Sequence, residues 1–172
     1  MAATPWKTLL FLTPALAPGA IAPEGRFSIR HPIALLGYAE RADCERDGHA
    51  WLAEDGICAD PGESFVEVDR TGNGALRVKA ITTWTNHHAC EFMSEKAELR
   101  GNLILATQAA EKFDPDTGAA STVPCNVEVR FLDADTVSLR SDRGCGSLCG
   151  INAALELDGA KREVTSKPGS IK

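Results

Sequence analysis

An all-β domain follows from three features of the sequence: short runs that alternate apolar and polar residues, turn signals between those runs, and six cysteines in a chain of 172 residues. Alternation with a period of two marks a strand with one buried face. Several such strands, with no helical segments interleaved, predict a single antiparallel β-barrel or sandwich stabilised by disulfides. Hydrophobic residues make up 44% and charged residues 24%, which is enough apolar surface to build a core and excludes wholesale disorder. The formal charge of −6 argues against a nucleic-acid binder held by phosphate contacts. It permits, without indicating, a cationic protein partner, held by an attraction that salt weakens.

In chain order, residues 1–22 read as a signal peptide, with Lys7 as the basic start, Thr8 to Ala17 as the apolar stretch and Ala20-Ile21-Ala22 as the cleavage site. Pro23 just beyond the cut is unfavourable for cleavage. The apolar run is too short, and too interrupted by Pro14 and Pro18, to cross a bilayer as a helix, so the mature form has no predicted membrane span. The expected division is therefore a signal at 1–22, a β domain at 23–160 and a flexible polar tail at 161–172. The expected destination is periplasmic or extracellular.

Pro23 to Pro32 carries little pattern, and His31 to Ala39 reads as a short strand or helix. Arg41 to Gly48 is charged and expected at the surface, and Ala50 to Ala53 reads as a short strand. Asp55-Gly56 and Asp60-Pro61-Gly62 bracket Cys58 with turn signals. Ser64 to Asp69 alternates as a strand and leads to the turn Thr71-Gly72-Asn73-Gly74. Ala75 to Trp84 is a clear strand, with Leu76, Val78, Ala80, Thr82 and Trp84 on one face. Asn86-His87-His88 then turns the chain into Cys90.

Cys90 to Phe113 carries two competing patterns. Leu99, Leu103, Ala106, Ala110 and Phe113 fall at helical spacing, but Gly101-Asn102 would lie in mid-helix at a cost of roughly 1–1.5 kcal/mol. The same pair makes a favoured two-residue hairpin turn between Lys96–Arg100 and Leu103–Thr107, and the hairpin is the expectation. Asp114 to Pro124 reads as a polar loop. The best-defined element is a second hairpin, with Cys125, Val127, Val129 and Phe131 inward, a turn at Leu132 to Asp135, and Val137 and Leu139 inward on the return. Ile151 to Leu157 is expected to close the sheet before a turn at Asp158-Gly159.

Cys44, Cys58, Cys90, Cys125, Cys145 and Cys149 all follow the signal, and an even number in an exported chain implies three bridges whose pairing stays open. The competing chemistries each lack a part. A zinc site drawn from His87, His88, Cys90, Cys145 and Cys149 has only one closely spaced cysteine pair. A cysteine nucleophile has no family signature around it. Gly144-Cys145-Gly146-Ser147-Leu148 lacks the second glycine of a serine-hydrolase elbow. Asp114-Pro115-Asp116-Thr117-Gly118 starts like a calcium loop without its later ligands. No cofactor motif is present.

The order Cys90-Glu91-Phe92, Gly101-Asn102, Cys125-x-Val127-x-Val129, Thr136-Val137-x-Leu139 and Cys145-x3-Cys149-Gly150 resembles small, exported, disulfide-bonded β proteins of proteobacteria, some of which are lysozyme inhibitors. The resemblance covers roughly residues 88–158. It implies a non-enzymatic binding or inhibitory module directed at a lysozyme-like cationic enzyme or another envelope component, and assigns no inhibitory residue. By position and rigidity alone, the expected contact surface is Ser141, Asp142, Arg143, Gly144 and Ser147. The alternatives are a lipocalin-like carrier with an apolar cavity open at one rim, and an enzyme of unrecognised type, signalled by His87 or His88 buried beside a carboxylate or thiol.

Overall fold

In the computed structural model, described over residues 22–150 and 153–164, eight antiparallel strands close into a barrel. The chain runs β1 (Gly25–Leu35), α1 (Arg41–Arg46), β2 (Ala50–Leu52), β3 (Ile57–Arg70), β4 (Leu76–Thr83), β5 (Ala89–Arg100), β6 (Leu103–Phe113), β7 (Ala120–Phe131), β8 (Thr136–Ser141) and β9 (Leu157–Arg162). From β3 to β9 each strand pairs with its successor, and β1 fills the gap between β9 and β3 to complete the ring. The short β2 lies outside the ring, paired to the first residues of β3.

Strand alternation puts every second side chain inward, and these side chains fill the barrel. Phe27, Val66, Val68, Val78, Phe92, Ile104, Val127, Val129, Phe131 and Leu139 are all buried, with the Phe27 and Phe131 rings edge to face at 5.6 Å. An eight-stranded barrel is just wide enough for its own side chains, so three phenylalanines suffice to occupy the centre.

The two ends of the barrel differ. One is closed by tight turns at Thr71 to Gly74, Gly101-Asn102 and Leu132 to Asp135. The other carries α1, β2, two 3-10 turns (Thr85–His87 and Arg143–Leu148) and all three disulfides, Cys44–Cys58, Cys90–Cys149 and Cys125–Cys145. The covalent links lie where the connections are long and where β5 and β6 separate. Those two strands pair only between Ala97–Arg100 and Leu103–Ala106, and a bulge near Glu95-Lys96 bends β5 away. Leu155 is buried at this end, and the neighbouring Ala154 carbonyl accepts hydrogen bonds from Thr82 Oγ1 at 2.7 Å and Trp84 Nε1 at 2.6 Å.

Both hairpins expected from the sequence are present, with Ala97 opposite Ala106 and Val129 opposite Leu139. Several expectations need correction, among them the polar loop at Asp114 to Pro124, whose last five residues, Ala120 to Pro124, belong to β7 and pair with the end of β6. The stretch Pro23 to Pro32 is not a patternless lead-in: from Gly25 it belongs to β1, with Phe27 and Ile33 buried. Asp60-Pro61-Gly62 is not a turn but lies inside β3, with Pro61 opposite Pro32 of β1. Neither proline costs a bond to a third strand, because β9 pairs with β1 only at Phe27 and Ser28, while β2 and β4 flank β3 only at Ile57–Ala59 and from Phe65 onward.

Asp158-Gly159 forms a bulge rather than a turn. The β8–β9 register shifts between Val137 and Leu139, and Gly159 takes a φ of 69°, where a side chain would be strained. The closing strand is therefore Leu157–Arg162, so the β domain includes Lys161 and Arg162 of the expected tail. Ile151 and Asn152, most of the expected signal (1–21) and most of the expected tail (165–172) lie outside the described residues. Arg41 to Gly48 is largely exposed as expected, but Arg41–Arg46 is helical and Cys44 is buried.

Gly62 tests how β1 and β3 fit together. A methyl group at its Cα would come within 2.2 Å of Ile33 Cδ1, and Ile33 is itself buried. We expect Gly62→Ala to cost about 1–3 kcal/mol in urea unfolding. The cost should fall in an Ile33→Ala background, which lacks both Cδ1 and Cγ1, the latter 2.3 Å from the added methyl.

Candidate functional site

Beyond Phe27 and Ser28 the β1–β9 ladder stops, and the two strands diverge toward the disulfide-bearing end. A pocket of about 320 Å³ opens in that seam. Its walls are Ile29, Ile33 and Ala34 from β1, Leu157 from β9 and Trp84 beyond the end of β4; Thr83 and Thr85 flank the Trp84 wall. Trp84 is expected from alternation to follow Leu76, Val78, Ala80 and Thr82 inward. It instead lies past the end of the strand, 37% exposed, with its indole N–H held by the Ala154 carbonyl.

The polar floor is made by His31 and Ser64. The His31 Nε2 and Ser64 Oγ atoms are 3.0 Å apart, and Ser64 Oγ accepts from the Thr83 N–H at 2.9 Å. His31 Nδ1 lies 3.3 Å from the Pro32 carbonyl. All of these groups are satisfied when Nδ1–H donates to that carbonyl and the Ser64 hydroxyl donates to Nε2. A serine beside a histidine suggests a nucleophile and its base, yet Ser64 is 2% exposed and His31 faces a carbonyl where an orienting carboxylate would stand. The pair reads as a satisfied polar floor. On the rim, Glu156 and Asp158 bring negative charge, and Asp158 is paired with Arg140 at 2.6 Å, which raises the Arg140 pKa.

A second cluster supports the rim. Asp60 receives His49 Nδ1 at 2.7 Å on one oxygen and His87 Nε2 at 3.1 Å on the other. His87 first, then His49, hold the Asp60 carboxyl below the ordinary aspartate pKa. This carboxylate ties together the loop after α1, the start of β3 and the Thr85–His87 turn that carries Thr85 of the pocket. Asn86 and His87 take φ values of 53° and 56°, uncommon for residues with side chains, and Asn86 Oδ1 accepts from the Leu36 N–H at 2.6 Å. His87 therefore stands beside a carboxylate, but half-exposed rather than buried in a cleft, while His88 packs against Gly150.

The expected contact residues form one rigid elbow at the same end of the barrel. Ser141 pairs with Val127, and Gly144 lies so close to the Pro124 carbonyl that a Cβ would stand 2.0 Å from it. The Asp142 carboxylate accepts from Asn126 Nδ2 at 2.6 Å, from the Asn126 N–H at 3.2 Å and from the Gly144 N–H at 2.9 Å. The side-chain bond from Asn126 is the main cause of its lowered pKa. Asp142, Arg143 and Ser147 are exposed, but Asp142 is occupied in capping the 3-10 turn, which leaves Arg143 and Ser147 as the exposed side chains the elbow does not itself use.

All six sulfurs are consumed in disulfides, which removes the thiolates that a zinc site or a cysteine nucleophile would use. Asp114 Oδ1 accepts from the Asp116 and Thr117 N–H groups, as in a solvated aspartate turn. His31, Ser64 and Asp60 went unnoticed as site residues in the sequence. Extending the alternation of Ile33 back through His31 and Ile29 to Phe27 would have exposed an inward strand with one histidine in it. No family model matches the chain, and no curated protein or solved structure is significantly similar to it.

The Asp60 cluster has a pH signature. A carboxyl whose folded pKa is lowered contributes stability that is present above its unfolded value, about 4, and is lost as pH falls through the folded value. Asp60→Asn should therefore lower Tm at neutral pH. The gap from the wild type should close below about pH 4; a gap independent of pH would show that the charge of the Asp60 carboxylate contributes nothing.

Proposed function

We propose that this is a non-enzymatic binding protein of the periplasm or exterior that holds a small, largely apolar molecule in the seam between β1 and β9. The observation that carries this reading is the pocket itself. It is concave and of small-ligand size, with apolar walls of Ile29, Ile33, Leu157 and Trp84 over a polar floor whose groups already satisfy one another. The filled barrel centre supports binding at the mouth rather than in an enclosed interior cavity. Three disulfides accord with an oxidising, non-cytoplasmic compartment, and no helix among the described residues is long and apolar enough to cross a membrane.

The test is binding of the neutral probe N-phenyl-1-naphthylamine, whose emission rises in apolar surroundings. The wild type should bind it, and Ala34→Phe, which adds an aromatic ring to the pocket lining, should weaken binding by at least about tenfold at an unchanged Tm. Trp84→Ala, which removes one wall, serves as an independent check. Undiminished binding in both variants would place the probe elsewhere.

A second reading draws on the elbow at 141–147. Its disulfide and the Asp142 cap keep Arg143 and Ser147 preorganised, as a contact surface for a protein partner requires. A lysozyme-like enzyme is the partner class that the sequence resemblance implies. Arg143→Ala combined with Ser147→Ala should then abolish capture of such an enzyme in a pull-down while leaving probe binding intact.

A further inference from the structure

We propose that the ligand carries a cationic amine, seated at the pocket rim between Glu156 and the ring of Trp84, with its apolar body against Ile29, Ile33 and Leu157. This rests on reading the pocket as a ligand site. The charges around the opening decide the sign. No lysine or arginine lines it, whereas Glu156 and Asp158 both do. Asp158 is held by Arg140; that guanidinium also feels the charge of Glu156, but no hydrogen bond or ion pair of the Glu156 side chain occurs among the described residues, so Glu156 is the carboxylate open to a ligand.

The other groups agree. Both ring nitrogens of His31 already face oxygen atoms, Ser64 Oγ and the Pro32 carbonyl, so the floor offers no ready donor to an anionic head group. A carboxylate ligand would meet Glu156, and the nearest guanidinium, that of Arg140, is already engaged by Asp158. An ammonium meets an acceptor of opposite charge and, in Trp84, an aromatic ring on the pocket wall. The Trp84 ring is fixed for this role, because its N–H is spent on the Ala154 carbonyl. The overall charge of −6 further favours approach of a cation over an anion.

The experiment displaces N-phenyl-1-naphthylamine from the full chain with octylamine, octanol and octanoate at neutral pH and low salt. The three share one tail, so their differences isolate the head group. Octylamine should bind about tenfold more tightly than octanoate, with octanol between them. Added salt should narrow that preference. Glu156→Gln should remove most of the amine preference and leave octanol unchanged. Octanoate binding as well as octylamine would overturn the cationic assignment while the pocket reading survives. A full amine preference retained in Glu156→Gln would overturn the seat proposed here. If neither the probe nor any of the three compounds binds, the pocket reading itself fails, and this inference with it.

Discussion

Closure of the barrel depends on β1. It is the one ring strand that does not pair with its neighbours in sequence order, and it pairs with β3 along eleven positions, Gly25 to Leu35 against Val68 to Cys58. The contact is non-local, so its loop-closure entropy is offset only when the whole ladder forms. Two local features let the ladder run unbroken. Gly62 makes room for the Ile33 side chain, and Pro32 and Pro61 face each other where neither strand has an outer partner to lose. On its other edge β1 reaches β9 through only two residues, Phe27 and Ser28. Phe27 anchors that seam beneath the Arg162 guanidinium, which lies 4.5 Å from the ring centre.

The pocket is a consequence of this asymmetry. Had β9 continued along β1, Ile29, His31 and Ile33 would lie under a continuous sheet. The ladder stops instead, and the gap acquires the aliphatic side chains of β1, the buried Ser64 of β3 and the indole beyond β4. The chain thus combines a centre packed by its own phenylalanines with a pocket at the mouth, and the two do not compete for space.

Restraints are divided between the ends according to the length of chain to be held. Two- to four-residue turns need no covalent help. The long connections receive disulfides, histidine–carboxylate pairs at Asp60 and a side-chain cap at Asp142. A bridge stabilises chiefly by limiting the unfolded chain, which is most useful where turns are long and strands splay, as β5 and β6 do. The same restraints hold the pocket rim and the 141–147 elbow, the two surfaces with features suited to recognition.

The sequence by itself determined the fold class, the six strand-rich runs from Ser64 onward, the turn positions of both hairpins and the inward faces at Cys125, Val127, Val129, Phe131, Val137 and Leu139. These depend on neighbours a few residues apart, which alternation and turn chemistry report directly. Only the tertiary structure decided that Asp60-Pro61-Gly62 is strand, that Asp158-Gly159 is a bulge, which cysteines pair, and that His31 and Ser64 share a pocket floor. Each of these turns on a strand from a distant part of the chain, and β1 above all. A turn-forming triplet becomes extended when a partner strand takes up its backbone, and a histidine becomes part of a site only when closure brings a serine 33 positions away to meet it.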